Sequence, residues 1–209
     1  RWPVRRMPAA ATSGTFTTHT RSTELAVKPL AYLPVLGVAL TALAAIAADP
    51  PPGDRIERGR YLVTTSGCAD CHTPLKMGPT GPTPDTARSF AGHPEGLVMP
   101  PVPALPTGPW QVVSSATNTA WAGPWGISFT ANLTPDPDTG LGRWNAQDFV
   151  QTLRTGRHIG RGRTLLPPMP TAYGQMNDDD LIAMFTYLRT LAPVRNRVPA
   201  PVPPTATVR

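Results

Sequence analysis

One five-residue motif constrains this chain more than any other feature of its sequence. Residues 68–72 read C-A-D-C-H, and Cys68 and Cys71 are the two cysteines of the chain. Two thiols three residues apart, followed directly by a histidine, form the attachment signal for a c-type haem. Each thiol adds to one vinyl group of the porphyrin, and the imidazole of His72 faces the iron. The motif therefore predicts a chain that folds around one covalently bound haem c, with His72 as an iron ligand.

Other uses of two closely spaced cysteines fit this sequence less well. A thioredoxin-like redox pair needs a βαβ setting, and no such pattern surrounds Cys68. A structural zinc site needs four ligands, but the sequence contains no second C-x-x-C and no H-x-x-x-H. A disulfide between residues three apart is uncommon in a chain without further cysteines. Haem attachment is therefore the favoured interpretation.

An apolar run near the start of the chain has the anatomy of a secretory signal. Residues 30–48 carry no charge, follow Lys28 and end in small residues, with A-I-A at 45–47 as a cleavage pattern. The run is also about long enough to span a bilayer, which leaves an uncleaved anchor open. We expect residues 1–48 to be a leader with a signal peptide or an N-terminal membrane anchor. Either form predicts a periplasmic haem domain, soluble after cleavage or anchored to the inner membrane by residues 30–48.

The positive charge of the chain is concentrated in this leader. The first 47 residues carry five of the 19 lysines and arginines but only one of the 13 acidic residues, so the remainder is nearly neutral. No single stretch combines clustered basic residues with interleaved aromatic ones. A nucleic-acid partner is therefore not expected, because proteins of that class present a basic patch to the phosphates.

Helical patterns lie between proline-rich segments. Asp54 is expected to cap a first helix, Asn145 a second one that ends before Gly156, and Asn177 a last one with three aspartates in its first turn. Gly59 lies inside the first helix, where glycine costs stability. We interpret it as a point of close approach between two helices.

The section between the haem motif and the second helix has a different character. Residues 73–131 are rich in proline and glycine and lack helical periodicity, and a loop of this length usually wraps a cofactor or serves another function. Residues 112–113 and 127–131 could pair as a short β-hairpin, with residues 121–126 as the connection. The predicted fold class is all-α, with few helices around one haem and a long loop insertion. The haem domain is expected at 49–193, followed by a Pro-rich mobile tail at 194–209.

A haem held by one histidine has a sixth position that is either open or closed by a second ligand. The residues alone leave several candidates, which are Met77, Met99, Met169, Met176, Met184, His93 and His158. Met77 is too close to His72 to reach the opposite haem face comfortably, and Met184 lies near the apolar face of the last helix. Met169 stands between two prolines, whose fixed φ angles stiffen the loop that presents its thioether.

Three motifs, in their order along the chain, resemble a class I c-type cytochrome domain. They are C-A-D-C-H at 68–72, P-P-M-P at 167–170, and M-N-D-D-D-L at 176–181 with Y-L-R at 187–189. Residues 132–144 are similar to a stretch in the cytochrome c subunits of membrane-bound alcohol and aldehyde dehydrogenases. The resemblance covers about residues 54–193. It implies the class I cytochrome c fold, with Met169 as the distal iron ligand opposite His72 and Met176 as the second choice.

The predicted protein is a monohaem c-type cytochrome that transfers single electrons between redox partners. We expect it to be an electron carrier or an electron-transfer subunit and not an enzyme. Its partners are expected to be a dehydrogenase or a terminal oxidase, and the N-terminal segment could associate it with a membrane. The alternative is a haem enzyme or sensor with an open, peroxidase-like distal site, served by His158 and its neighbours Arg157, Arg161 and Arg163. We interpret the loop that holds these residues as solvated surface that neutralises haem propionates.

Overall fold

Two helices cross at the centre of the computed structural model, which describes residues 52–101, 109 and 111–204. They are α1 (Pro52–Thr65) and α4 (Asp178–Leu188). Gly59 lies at the crossing, where a Cβ atom would overlap the carbonyl oxygen of Ala183. The two backbones can approach this closely only because glycine has no side chain. The predicted close approach at Gly59 is therefore confirmed.

All the described residues belong to one compact unit, Asp49–Arg209. The predicted leader 1–48, with its anchor segment 30–48, lies outside the described residues, as do residues 205–209 of the predicted tail. The division into leader, haem domain and tail stays a prediction. Within the described part of the chain, no helix combines the length and the apolar composition needed to cross a bilayer.

Helix α3 (Ala146–Thr155) is bounded by the residues that the sequence indicated. The side chain of Asn145 accepts a hydrogen bond from the backbone N–H of Asp148 at 2.9 Å, and the Asp148 carboxylate accepts one from the N–H of Asn145 at 3.1 Å. This reciprocal pair is a capping box. Gly156 then ends the helix in the left-handed conformation, with φ 63°.

The starts of the other two long helices differ in how well they were predicted. Asn177 caps α4, because its side chain accepts a hydrogen bond from the backbone N–H of Asp180 at 2.7 Å. Helix α1, in contrast, begins at Pro52, so Asp54 lies in its first turn and is not its cap. Proline suits such a first helical position because its missing N–H would have no partner there.

The apolar faces of α1, α3 and α4 form the core with one loop residue. Its buried members are Leu62, Val63, Leu141, Phe149, Val150, Leu181, Met184, Phe185 and Leu188. The other helical pieces among the described residues are short. They are α2 (Cys68–His72) and three 3₁₀ turns at Thr86–Arg88, His158–Gly160 and Thr171–Gln175.

The prediction of an all-α fold is wrong, because two small antiparallel sheets accompany the helices. Strands β1 (Leu75–Gly78) and β2 (Gly81–Pro84) form a two-stranded sheet. A three-stranded sheet has the order β3 (Val113–Ser114), β4 (Ala120–Gly123) and β5 (Gly126–Phe129). The section predicted as a loop insertion is therefore partly sheet.

The predicted pairing within this section is also wrong. Val113 pairs with Ala122, which was assigned to the connection, and not with the 127–131 stretch. The true hairpin joins β4 to β5 through Pro124 and Trp125, and Gly126 leaves the turn with φ 92°. The strands are two to four residues long, so they show no extended alternation of apolar and polar residues. These strands are defined by their backbone hydrogen bonds, which cannot be read from amino-acid composition.

Residues 194–204, called here the C-terminal segment, return across the sheet side of the domain. The Asn196 side chain donates to the carbonyl oxygens of Ala91 at 2.7 Å and His93 at 2.8 Å. Val202 exchanges two backbone hydrogen bonds with Ile127, at 2.8 and 2.9 Å. The start of the predicted tail is thus joined to the loop before β3 and to strand β5.

Candidate cofactor site

Helix α2 consists of the cysteine–histidine motif itself. The preceding Gly67 adopts the left-handed conformation (φ 67°) and redirects the chain after α1. The backbone N–H of Asp70 donates to the Gly67 carbonyl oxygen at 3.0 Å, and the Asn118 side chain donates to the Asp70 carbonyl oxygen at 2.8 Å. The motif is therefore held against the loop between β3 and β4.

Both cysteines are free thiols, and both line the same cavity. Burial raises the pKa of Cys68 to about 11. Burial, and then the neighbouring Asp70 carboxylate, also raise the pKa of Cys71. Thiols of this kind are protonated at neutral pH, whereas redox pairs of the thioredoxin type use a thiol of lowered pKa. The electrostatics therefore argue against the redox-pair alternative.

His72 is oriented by a single hydrogen bond. Its side chain is buried, and Nδ1 lies 2.7 Å from the carbonyl oxygen of Ala131. Because a carbonyl can only accept, Nδ1 carries the proton and donates, which leaves the lone pair of Nε2 for a metal ion. Burial lowers the pKa of His72, and the bond to Ala131 offsets part of this effect. The ring is thus neutral at pH 7, the form that binds metals.

A cavity of about 530 Å³ opens beside His72. This volume falls within the roughly 300–1,000 Å³ typical of small-molecule and cofactor sites. Helices α3 and α4 and the loops around them supply an apolar wall made of Leu133, Leu141, Trp144, Phe149, Leu153, Leu165, Leu166, Met184 and Leu188. Two arginines, Arg163 and Arg197, line the cavity as well. An apolar chamber with cationic groups suits a large flat ligand that carries acidic substituents.

Met169 lines this same cavity, in the loop ahead of α4. The hydroxyl of Ser128 in β5 donates to the carbonyl oxygen of Pro167, which joins the methionine loop to the sheet. The hydroxyl of Tyr173 donates to the carbonyl oxygen of Ser66, which joins the other end of the loop to the residues just before α2. Strand β5 thus helps to position the methionine loop.

Two other predicted candidates for the sixth ligand share the cavity with Met169. Met184 lines it from α4 and belongs to the buried core. His158 lines it from the loop after α3, where its ring packs edge-on against Trp144 at 5.0 Å between centroids. Burial, and then the nearby charge of Arg163, lower the pKa of His158, so its ring is neutral at pH 7.

The remaining four candidates are absent from the described cavity lining. Met77 is 77% exposed on β1, and Met99 lies in the loop before the undescribed residues 102–108. Met176, the second choice, packs against the hydrophobic core. His93 is fully buried, with Nδ1 3.0 Å from the Thr119 hydroxyl and Nε2 2.9 Å from the Leu97 carbonyl oxygen, so its ring nitrogens are already engaged.

Three groups that position the site were missed by the sequence analysis. Ala131 contributes a backbone carbonyl, and no residue pattern marks such a contribution. The hydroxyls of Ser128 and Tyr173 donate hydrogen bonds to residues that lie 39 and 107 positions away, respectively. Local sequence patterns do not predict contacts over such separations.

The residues at the cavity fit a c-type haem. A neutral imidazole and a methionine thioether are the ligand pair found in cytochromes c, and the two thiols stand on the same helix as His72. A zinc site finds no support, because no cluster of three or more His, Cys, Asp or Glu side chains that could hold a metal ion occurs among the described residues.

The curated proteins to which the chain is similar are components of dehydrogenases. It is 33% identical over 178 residues to a nicotinate dehydrogenase component from Pseudomonas putida, an alignment that covers 81% of this chain and 12% of the relative. It is 31% identical over 153 residues to the gluconate 2-dehydrogenase cytochrome c subunit of Pantoea cypripedii, covering 72% and 26%. It is 28% identical over 153 residues to the cytochrome c subunit of a quinone alcohol dehydrogenase of Gluconobacter oxydans, covering 73% and 24%. No family model matches the chain.

The chain spans between 12% and 26% of the length of these curated relatives. The last two are named as cytochrome c subunits, and the resemblance to such subunits of dehydrogenases is thereby confirmed. Their names describe cytochrome components rather than catalytic subunits, which agrees with the expectation of an electron carrier or electron-transfer subunit.

Proposed function

We propose that this chain is a c-type cytochrome that carries single electrons for a dehydrogenase. One haem c would be attached through Cys68 and Cys71, with His72 and Met169 as the two iron ligands. The observation that supports this assignment best is the shared cavity: residues nearly 100 positions apart, in α2 and in the methionine loop, line one apolar chamber.

When bound, haem supplies an iron atom that alternates between the ferrous and ferric states. The bond from His72 Nδ1–H to Ala131 fixes the imidazole plane and makes Nε2 a better donor. The Met169 thioether is a soft, neutral ligand that favours the ferrous state and so raises the potential. The apolar wall excludes water, which limits the solvent rearrangement that accompanies each change of charge.

The partners follow from the relatives. Those named above include cytochrome subunits of gluconate and alcohol dehydrogenases, and another relative is the cytochrome subunit of fructose dehydrogenase of Gluconobacter japonicus. We propose that the electrons come from a dehydrogenase and pass to a further acceptor such as a terminal oxidase. We propose a periplasmic location, with the protein either soluble after signal cleavage or anchored to the inner membrane through residues 30–48.

Absorption spectra of the purified protein in both oxidation states test this proposal. The pyridine haemochrome assay is expected to give one haem per chain, retained through denaturing electrophoresis because the thioether bonds are covalent. The ferric and ferrous spectra are expected to be low-spin. A colourless protein after coexpression with a haem-attachment system would refute the function.

A second candidate function is a haem enzyme or sensor with an open sixth position. The presence of His158 and Arg163 in the cavity lining favours it, because a peroxidase-like site uses a distal histidine and arginine. The same spectra separate the two functions. A high-spin ferric spectrum that changes when cyanide is added would support the open site over His/Met ligation.

A further inference from the structure

Three arginines stand on one short loop, residues 157–163, called here the arginine loop. Arg157, Arg161 and Arg163 are exposed, and none of them forms an ion pair within the described part of the chain. Five other described arginines form ion pairs with carboxylates, namely Arg58, Arg60, Arg88, Arg143 and Arg154. Arg189, Arg195 and Arg197 form none among the described residues, but they do not lie on this loop. Three exposed arginines without an ion pair therefore lie within seven residues of one another on this loop.

The acidic group that acts on this loop does not neutralise it. Burial and then Arg163 lower the pKa of His158, whereas the carboxylate of Asp148 acts to raise it, so the charge of Asp148 reaches the loop. That carboxylate is engaged in the capping box of α3, where it accepts the backbone N–H of Asn145 at 3.1 Å. One carboxylate stands against three guanidinium groups, so the loop keeps a net positive charge.

Hydrogen bonds hold the backbone of this loop in place. Its ends pair, because the backbone N–H of His158 donates to the Arg163 carbonyl oxygen at 2.9 Å. Ile159 adopts a left-handed conformation with φ 50°, which is rare for a β-branched residue, and its N–H donates to the Thr152 hydroxyl at 2.8 Å. A loop backbone held in this way needs little ordering of its own when a partner binds.

The arginine loop borders the proposed haem cavity. Arg163 and His158 line the cavity, whereas Arg157 and Arg161 do not. Neutralisation of haem propionates would account for Arg163, but it leaves the two outer arginines unexplained. Charges that lie beside a redox centre but outside its pocket attract oppositely charged molecules that approach from solvent.

We propose that the arginine loop is the docking surface for an acidic patch on the redox partner protein. The inference rests on the proposed electron-transfer function and deepens it by assigning the surface through which electrons pass. We favour an acidic partner protein over an anionic membrane. Docking beside the cavity shortens the path of an electron to a partner protein, whereas a lipid headgroup exchanges no electron with the haem. Complementary charge of this kind mainly accelerates association.

The test uses two small redox reagents of opposite charge on the full-length haem protein. Ferricyanide and tris(phenanthroline)cobalt(III) each take one electron from the ferrous iron, which becomes ferric. Arg161→Glu is expected to slow oxidation by ferricyanide about two- to fivefold at low ionic strength and to accelerate oxidation by the cobalt cation. Arg157→Glu should act in the same direction. Both effects should disappear at high salt, because they are Coulombic.

Arg60→Glu is the matched control, because it makes the same change of charge on α1, none of whose described residues lines the cavity. It should alter neither rate. Equal effects of Arg60→Glu and Arg161→Glu would overturn the proposal, since net charge alone would then explain the rates. A reduction potential unchanged in all variants is expected, because a shifted potential would mean that the loop acts on the haem and not on the partner.

A binding measurement gives a readout that does not depend on electron transfer. Poly-L-glutamate serves as a model of an acidic protein surface, and Arg161→Glu should weaken its binding more than Arg60→Glu does. If instead the variant loses binding to phosphatidylserine vesicles while its binding of poly-L-glutamate is unchanged, the loop is a membrane contact and the proposal fails. Absence of covalent haem would refute the proposed function, whereas a normal haem with charge-insensitive rates would refute only the docking surface.

Discussion

The two proposed iron ligands are supported in different ways at the scale of single residues. His72 is buried and oriented by a direct hydrogen bond to the Ala131 carbonyl oxygen. Met169 is only partly buried, and the bond from Ser128 acts on Pro167, two residues before it. A side chain whose orientation depends on its loop is the easier one to displace. We therefore expect the distal side to be where ligation first fails.

Replacing Met169 with alanine should open the sixth position of the haem iron. The loss of a soft, neutral ligand lowers the reduction potential, and the ferric spectrum should become high-spin. Small ligands such as imidazole or cyanide should then bind at lower concentration than to the unmodified protein. Spectroscopic titration and potentiometry measure these changes.

Met176→Ala is the control for this variant, because Met176 packs against the core and does not line the described cavity. It should leave the spectrum low-spin. Conversion to high spin by Met176→Ala, with no change in Met169→Ala, would show that the distal ligand has been assigned seven residues too early. If neither variant changes the spectrum, His158 becomes the next residue to test.

Much of the candidate site could be predicted from residues alone, and the rest depends on contacts between distant segments. Cys68, Cys71 and His72 form a contiguous motif, and Met169 is marked by its flanking prolines. The Ala131 carbonyl has no signature, because every residue has a carbonyl group. Only the fold determines which one meets His72.

At the scale of secondary structure, the helices were more predictable than the strands. Caps are local, so Asn145 and Asn177 could be identified from their neighbours within three residues. Several strands contain small residues, glycine or proline, as in the G-P-T-P of β2 and the A-W-A-G of β4. Their pairing depends on partners elsewhere in the chain. The long section between the haem motif and α3 was therefore assigned to loop, apart from one possible hairpin whose pairing was wrong.

The crossing of α1 and α4 gives a prediction about glycine. Gly59→Ala should destabilise the protein by about 1–3 kcal/mol, because the added Cβ would overlap the Ala183 carbonyl and force the helices apart. Gly53→Ala in the same helix is the control, since a Cβ at that position meets no atom within 4 Å. Thermal or denaturant unfolding of the two variants measures the difference. A Gly59 variant as stable as the Gly53 variant would contradict the close approach.

The same pair of helices should respond to acid. Arg58 of α1 lies 2.8 Å from the Asp180 carboxylate of α4, and the hydrogen bond from Arg58 is the main cause that lowers the pKa of Asp180 below its ordinary value of 3.8. A carboxylate whose pKa is lower in the folded state than in the unfolded state stabilises the fold at a pH above its unfolded-state pKa. This stabilisation is lost as the pH falls through the folded-state pKa. Asp180→Asn should therefore reduce stability at pH 7, with a difference from the unmodified protein that shrinks below about pH 4.

Unfolding curves recorded between pH 7 and strongly acidic conditions would measure this dependence. Asp179→Asn is a suitable control, because Asp179 occupies the same helical turn and forms no ion pair among the described residues. If the two variants lose equal stability at pH 7, the contribution assigned to the Arg58–Asp180 pair is incorrect.

At the scale of the whole molecule, the fold surrounds a cavity of about 530 Å³ with apolar walls from several elements. Without a ligand, the apolar side chains of these walls would contact water, which the hydrophobic effect disfavours, or would lose packing partners across the cavity. The cofactor is therefore expected to supply a large part of the core. This dependence leads to a prediction about the unligated chain.

Replacing both Cys68 and Cys71 with alanine should abolish covalent haem, and each single change should remove one thioether bond. The double variant should be largely unfolded when purified without haem, with no cooperative thermal transition by circular dichroism. Haem that survives denaturing electrophoresis of the double variant would exclude attachment through these thiols. A cooperative, native-like transition of the haem-free protein would show that the fold does not need the cofactor.

The C-terminal segment has a consequence for the order of events during synthesis. Asn196 bonds to Ala91 and His93, which precede it by 105 and 103 residues, and residues 197–201 complete one wall of the cavity. Contacts of such separation form slowly, and on a growing chain they must wait until the later partner has been made. The cysteine motif therefore exists for some time beside an unfinished wall. We expect a bulky planar group to reach both thiols during that interval, before the C-terminal segment closes over the cavity.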